Sequence, residues 1–180
     1  MFGLFGRKKR EEEFDEWMRL AQETRARQRA RKQIFDVYFR LNRGATDDSR
    51  IISTDVVVDV LRKVIEASGL RPRSLSSSQE FATALLAFGV SNYISMNMRV
   101  EFGGLVLTSL VVLLGKFRSA QIGELISEAG EEWNRMAKDE DGLSIVSTIS
   151  LEVDNYVSGH EELALDKLSK LLIFLAEHVE

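Results

Sequence analysis

The stretch FATALLAFGVSNYISMNM, residues 81–98, decides the fold because it is long and contains no charged residue. It follows Ser77-Ser78-Gln79-Glu80, in which Ser77 and Glu80 fit the reciprocal capping box that begins many helices. Polar side chains interrupt the stretch at five positions: Thr83, Ser91, Asn92, Ser95 and Asn97. A membrane-spanning helix is more uniformly apolar. The sequence therefore predicts a helix, up to about Met98, that is buried in the core of a domain.

A second uncharged stretch, Phe102–Gly115, follows almost directly. It is too short to cross about 30 Å of hydrocarbon as a helix. We expect a second buried helix over 105–117, with Gly103-Gly104 breaking the chain before it. Two buried helices in succession predict that the core of this protein is built from helices.

Between the N-terminal segment and this pair, sequence signals predict one helix, and they predict three more after the pair. Ser53 or Thr54 begins the first, and Gly69 ends it. The linker 70–76 follows and contains the only proline of the chain. The expected helices after the pair are 119–137, 145–156 and 160–178. Residues 138–142 are expected to form an acidic turn.

The segment between the two buried helices also fits another structure. Apolar and polar residues alternate strictly from Ile94 to Phe102, which is the period of a strand. Residues 51–60 are rich in β-branched side chains, which also suit a strand. A small strand pair near 94–102 is therefore the alternative. We favour helix because both segments continue into longer runs with helical periodicity.

The N-terminal segment predicts one long helix. From Glu11 onward no glycine or proline occurs before the stop signal Asn42-Arg43-Gly44. The whole sequence therefore predicts an all-α fold, an irregular bundle of about six or seven helices with a long, partly projecting N-terminal helix. We divide the chain into a mobile basic and aromatic tip at 1–10, a charged N-terminal helix at 11–43 and a helical core domain at 51–180.

An ideal helix over this segment carries two apolar stripes on different sides, about 170° apart. One stripe consists of Ala26, Ala30, Ile34, Val37, Tyr38 and Leu41. The other consists of Phe14, Trp17, Met18 and Ala21, in line with Arg25, Arg29 and Lys32. A straight helix cannot bury both against one domain face, so we predict that the first packs on the core and the second binds a protein partner or a second copy. The alternative is a bent helix that buries both stripes in its own domain.

The first ten residues suggest a different partner. Three apolar residues precede four basic ones: Phe2, Leu4 and Phe5, then Arg7, Lys8, Lys9 and Arg10. Such a tip can anchor a chain to an anionic membrane surface, with about 1 kcal/mol from each basic charge near the headgroups. Glu11-Glu12-Glu13 follow directly and oppose this attraction. A peripheral membrane protein is therefore the second hypothesis, and a disordered terminus is the simpler explanation of the same residues.

The basic residues also raise the question of nucleic acid. Residues 1–50 hold 13 Lys/Arg against 9 Asp/Glu, a balance of +4, whereas the rest of the chain holds 11 against 19, a balance of −8. The arginines are spread around the whole helix rather than along one stripe, and the chain has a net charge of −4. Nucleic-acid binding by the basic helix is thus a weaker alternative to a protein partner.

No residue pattern indicates catalysis, a metal or a cofactor. The chain has no cysteine, which excludes disulfides, thiolate catalysis and cysteine-ligated zinc. His160 and His178 lack the Glu-x-x-His and His-Glu-x-x-His patterns, and 138–142 lacks the spacing of a calcium loop. We therefore expect a non-enzymatic protein and infer no small-molecule substrate. Because no secretory signal is recognised, we expect a cytoplasmic location, at the inner face of a membrane if the tip is an anchor.

Overall fold

The computed structural model describes residues 49–115 and 120–178, and within these ranges every regular element is helical. The α-helices are α1 (Ser49–Ala67), α2 (Ser77–Met98), α3 (Phe102–Leu114), α4 (Ala120–Met136), α5 (Glu140–Val157) and α6 (Glu161–His178). A 3-10 turn, Pro72–Ser74, lies between α1 and α2. The predicted all-α bundle is confirmed. The predicted N-terminal helix and tip lie outside the described residues.

Helix α2 lies at the centre of the bundle. It packs against each of the other five α-helices, and every side chain from Ala82 to Ser91 is buried. A helix that is apolar all round is stable only when neighbours cover it on all sides. The prediction that 81–98 is a buried core helix is therefore confirmed. Within the described ranges, no helix is both long enough and apolar enough to cross a bilayer.

The capping box of α2 forms one residue earlier than the sequence predicted. The Ser76 hydroxyl accepts a hydrogen bond from the Gln79 amide at 3.3 Å, and the Gln79 side chain accepts one from the Ser76 amide at 2.9 Å. The predicted pair, Ser77 and Glu80, was wrong. Consecutive serines are followed by both Gln and Glu, so two registers satisfy the same rule and local sequence does not choose between them.

The strand alternative near 94–102 was wrong. Helix α2 continues to Met98, and Arg99 ends it in the left-handed region at φ 56° and ψ 40°. Glu101 is already the N-cap of α3, so the chain reverses in three residues. The alternating pattern belongs to the last turn of one helix and the start of the next. Residues 51–60 are helical as well.

The two glycines at 103 and 104 lie inside α3, not before it. The Glu101 carboxylate accepts hydrogen bonds from the amides of both Gly103, at 2.8 Å, and Gly104. This cap stabilises a helix that starts at Phe102, so the prediction that the glycines break the chain was wrong. The helix ends at Leu114, three residues earlier than predicted, because Gly115 adopts φ 67°.

The acidic segment 138–142 serves as both turn and helix start. Asp139 is the N-cap of α5, and its carboxylate accepts a hydrogen bond from the Gly142 amide at 3.2 Å. A Cβ on Gly142 would lie 2.3 Å from the Met136 carbonyl oxygen. Only glycine therefore permits this close approach of α5 to the end of α4.

Candidate functional site

The predicted binding residues all lie between residues 1 and 32, outside the described part of the chain. This holds for the partner-binding set of Phe14, Trp17, Met18, Ala21, Arg25, Arg29 and Lys32. It also holds for the membrane tip of Phe2, Leu4, Phe5, Arg7, Lys8, Lys9 and Arg10. Both sets therefore stay predictions. The described helices offer other candidate sites: a polar cluster around Lys63, a buried carboxylate and an acidic groove.

The polar cluster joins three helices around the ammonium group of Lys63 in α1. Its Nζ lies 2.7 Å from Glu161 Oε1, where α6 begins, and 3.4 Å from Asp59 Oδ2, one turn earlier in α1. The same Nζ donates to the Tyr156 hydroxyl of α5 at 2.9 Å. That hydroxyl donates in turn to Asp59 Oδ2 at 3.1 Å. Every polar group of the cluster thus has a charged or hydrogen-bonding neighbour.

Contacts within the cluster raise the pKa of Lys63, which further stabilises its charged form. Partial burial alone would lower the pKa of Lys63, but the hydrogen bond to Glu161 and the charges of Asp59 and Glu161 outweigh it and raise that pKa above its ordinary value of 10.5. A lysine that acts as a nucleophile or Schiff base needs a lowered pKa. The cluster therefore links α1, α5 and α6 through charged and hydrogen-bonded side chains.

A second charged group, Glu152 of α5, is only 1% exposed. Its carboxylate is 2.7 Å from Lys167 Nζ of α6 and accepts a hydrogen bond from the Asn155 amide at 2.9 Å. A buried carboxylate is tolerated when it is paired and hydrogen-bonded in this way. Asp154, two residues further on, accepts a hydrogen bond from the Tyr93 hydroxyl of α2. These contacts fix α5 against α2 and α6.

Metal ligands do not converge in this region. Among residues 49–115 and 120–178, no three His, Asp or Glu side chains are placed to hold a metal ion together. His178 lies in the last turn of α6, where its ring stacks on Phe174 with centroids 4.3 Å apart. His160 is exposed just before α6 begins. The two histidines thus stand at opposite ends of one helical element.

An acidic groove with a volume of about 300 Å³ runs between the start of α2 and α4. Its lining residues are Ser77, Glu80, Phe81, Gln121, Ile122, Glu124, Leu125 and Glu128. The apolar members lie deeper, since Ile122 is buried and Phe81 and Leu125 are half-buried. Three carboxylates beside an apolar floor suit a cationic group on an apolar stem, such as an arginine or lysine side chain.

Only the α4 side of this groove could be predicted from the sequence. Glu124 and Glu128 are four residues apart on a predicted helix, so their common face is readable from sequence. Glu80 and Phe81 come from α2, about forty residues earlier in the chain, and only the packing of α2 on α4 brings them near. The Lys63 cluster could not be predicted from local sequence either, because Glu161 is distant from Lys63 in the chain.

Comparison of the chain with protein-family models, with curated proteins and with solved structures gives no match.

Proposed function

We propose that this chain is a non-enzymatic adaptor or assembly subunit, which binds a protein partner or a second copy through its N-terminal segment. The proposal is carried by the row of residues that an ideal helix places in line: Phe14, Trp17, Met18, Ala21, Arg25, Arg29 and Lys32. Aromatic residues and arginine are enriched where protein interfaces are most tightly packed.

The described helices support a binding role over a catalytic one. The raised pKa of Lys63 suits a charged link between helices, and Glu152 is paired inside the bundle. A raised pKa is the opposite of what nucleophilic catalysis requires of a lysine. The acidic groove of α2 and α4, by contrast, has the charge and shape to attract a basic partner segment.

The test is light scattering coupled to size exclusion, on the full chain and on two double variants. Phe14→Ser with Trp17→Ser removes the aromatic part of the row, and Phe2→Ser with Phe5→Ser is the matched control. We expect an assembled mass above the 20.4 kDa of one chain, which falls in the first variant and not in the second. An unchanged mass in the Phe14 and Trp17 variant would contradict self-association through this row.

A peripheral membrane role is the second candidate, favoured by Phe2, Leu4 and Phe5 ahead of four basic residues. It predicts that vesicles with anionic lipid retain the wild type, while neutral vesicles do not. The Phe2 and Phe5 variant would lose this binding and the Phe14 and Trp17 variant would keep it. Nucleic-acid binding, the third candidate, predicts a steep loss of affinity with salt that does not depend on Trp17.

A further inference from the structure

Helix α3 has an exposed face that carries no charge. Leu107 is 47% exposed and Val112 is 48% exposed, and between them lies the exposed Thr108. No charged residue occurs in α3 from Phe102 to Leu114. Large apolar side chains that recur on one exposed helix face usually mark a contact surface.

The exposed residues of α3 recur with the helical period and form one side of the helix. Gly103 is exposed in the first turn, and the other exposed positions lie at Gly104, Leu107, Thr108, Val112 and Gly115, together with the half-buried Val111. Steps of three and four residues place them in one stripe along the helix. The opposite stripe, which includes Leu110 and Leu113, is buried in the bundle. Only one of the two apolar faces of α3 is therefore used within the described helices.

The exposed face offers space as well as apolar surface. At its N-terminal end, a shallow cavity of about 210 Å³ is lined by Thr54, Val100, Glu101, Gly104, Leu105 and Thr108. Ile51, which is 54% exposed, lies one turn before Thr54 in α1. Glycine and threonine let another helix approach closely, and the cavity has room for a branched apolar side chain.

Charges of opposite sign bracket this uncharged face at its two ends. Glu101 is exposed at the start of α3. Arg73 is exposed at the other end, where its Nε lies 3.9 Å from the position of a Cβ on Gly115. Glu101 at one end and Arg73 at the other make this face complementary to itself when two copies meet antiparallel.

We propose that this face binds a second copy of the chain, with two α3 helices antiparallel about a two-fold axis at Thr108. Thr108 is the midpoint of Phe102–Leu114, so Gly104 then faces Val112 of the partner subunit. Glu101 faces Arg73 of the partner subunit, at both ends of the pair. A two-fold interface of this kind uses the same patch on both copies.

A second copy suits this face better than it suits the rest of the domain. Residues after Arg50 carry a balance of −8, so most faces of one copy would repel the same faces of another. The α3 face avoids that repulsion because α3 carries no charge from Phe102 to Leu114, and Glu101 at one end has the opposite sign to Arg73 at the other. The helix is only about 20 Å long. Small interfaces are typical of transient pairs, so we expect a dimer that dissociates on dilution.

The absence of cysteine makes a direct test available. Thr108→Cys in the full chain introduces a single thiol at the proposed axis, where two copies must come within about 7 Å between Cα atoms for a disulfide. Under mild oxidation we expect a disulfide-linked dimer on a non-reducing gel. Leu163→Cys is the matched control, since Leu163 is 54% exposed on α6. Equal cross-linking rates in the two variants would overturn the proposal.

A second variant tests the same surface without a covalent bond. In the proposed pair, Val112→Glu places a carboxylate of each copy against Gly104 of the partner subunit. Leu163→Glu adds the same charge to a different helix. We expect the concentration-dependent dimer in light scattering to be lost only in Val112→Glu, with helicity by circular dichroism unchanged in both. A dimer that survives Val112→Glu would contradict the proposal.

Pairing through α3 does not depend on binding through the N-terminal segment, so the two can be tested separately. Thr108→Cys is therefore repeated in the chain that carries Phe14→Ser and Trp17→Ser. Rapid cross-linking in that background supports pairing through α3 even if binding through the N-terminal segment fails. If cross-linking disappears in that background while Val112→Glu still forms the dimer seen by light scattering, α3 is not the surface on which the copies meet.

Discussion

Helices α2 and α3 are neighbours in the chain, and both contain long stretches without charge, but they are covered to very different extents. Helix α2 has polar side chains such as Thr83 and Ser91, and both are fully buried. Helix α3 is more uniformly apolar, yet Leu107 and Val112 are about half exposed. Among the described elements, α2 contacts five α-helices, whereas α3 contacts α1, α2 and α4. Burial in this bundle thus follows the number of neighbouring helices rather than the apolar content of a helix.

The largest expected effect is the difference between a leucine of α2 and a leucine of α3. Leu86 is 1% exposed, so Leu86→Ala removes packed methyl groups and should lower the free energy of unfolding by about 2–5 kcal/mol. Leu107→Ala should cost less than about 1 kcal/mol because half of the side chain is already in water. Urea titration followed by circular dichroism measures both. Equal losses of unfolding free energy would mean that Leu107 is packed as closely as Leu86.

Glycines in the two helices give the next comparison. A Cβ on Gly89 would lie 2.5 Å from Ile149 Cγ2 in the core, so Gly89→Ala should destabilise the fold by about 1–3 kcal/mol. A Cβ on Gly104 would meet only a carboxylate oxygen of the exposed Glu101, which can move away. Gly104→Ala should therefore change stability by less than about 1 kcal/mol, since its better helix propensity offsets a weakened cap. A thermal melt at one protein concentration compares the pair.

Each of the two helices also contains one buried hydroxyl without a hydrogen-bond partner among the described residues, Ser91 in α2 and Ser109 in α3. Ser91→Ala and Ser109→Ala should each leave stability unchanged or raise it by about 1 kcal/mol, because an unsatisfied polar group is removed. Thr83→Val is the control, since the Thr83 hydroxyl donates to the Gln79 carbonyl at 2.7 Å. That variant should lose about 1 kcal/mol. A clear loss in both serine variants would indicate that the hydroxyls are satisfied.

The smallest expected effect on stability concerns an ion pair. It tests whether charged contacts add to the stability that apolar packing gives the bundle. Lys63→Met should cost about 0.2–1 kcal/mol at pH 7, because the lysine is partly exposed. The pKa of Lys63 is raised by folding, so its contribution is complete below the unfolded value and is lost as the pH rises through the folded value, above 10.5. The stability difference between wild type and Lys63→Met should therefore shrink in that range. A difference that grows with pH would contradict the raised pKa.

The order and approximate limits of the described helices were predictable because their signals are local. Gly69 takes the positive φ that helix ends favour, at 74°, and ends α1 where the sequence predicted, whereas Gly115, at 67°, ends α3 three residues before the predicted limit. Errors occurred where two local solutions compete. Three serines offered more than one capping register before α2. Gly103 is a typical helix breaker in sequence, but in the structure its amide donates to the Glu101 carboxylate, which caps the helix.

The candidate sites were much less predictable than the helices. The acidic groove requires Glu80 of α2 beside Glu124 of α4, and no pattern within either helix indicates their contact. The raised pKa of Lys63 likewise depends on Glu161, which is nearly a hundred residues away. Electrostatic effects of this kind act over a few ångströms in space, so they are invisible until the chain is packed.

The sequence by itself determined that the described part of the chain is built from successive helices, since periodicity, caps and the scarcity of proline act within a few residues. It also determined that α2 and α3 are apolar on more than one side. Only the tertiary structure decided that α2 receives neighbours all round while the Leu107 and Val112 face of α3 stays exposed. The physical reason is that hydrophobic attraction has no direction: it favours burial of any apolar face, and the geometry of the bundle selects which one is left.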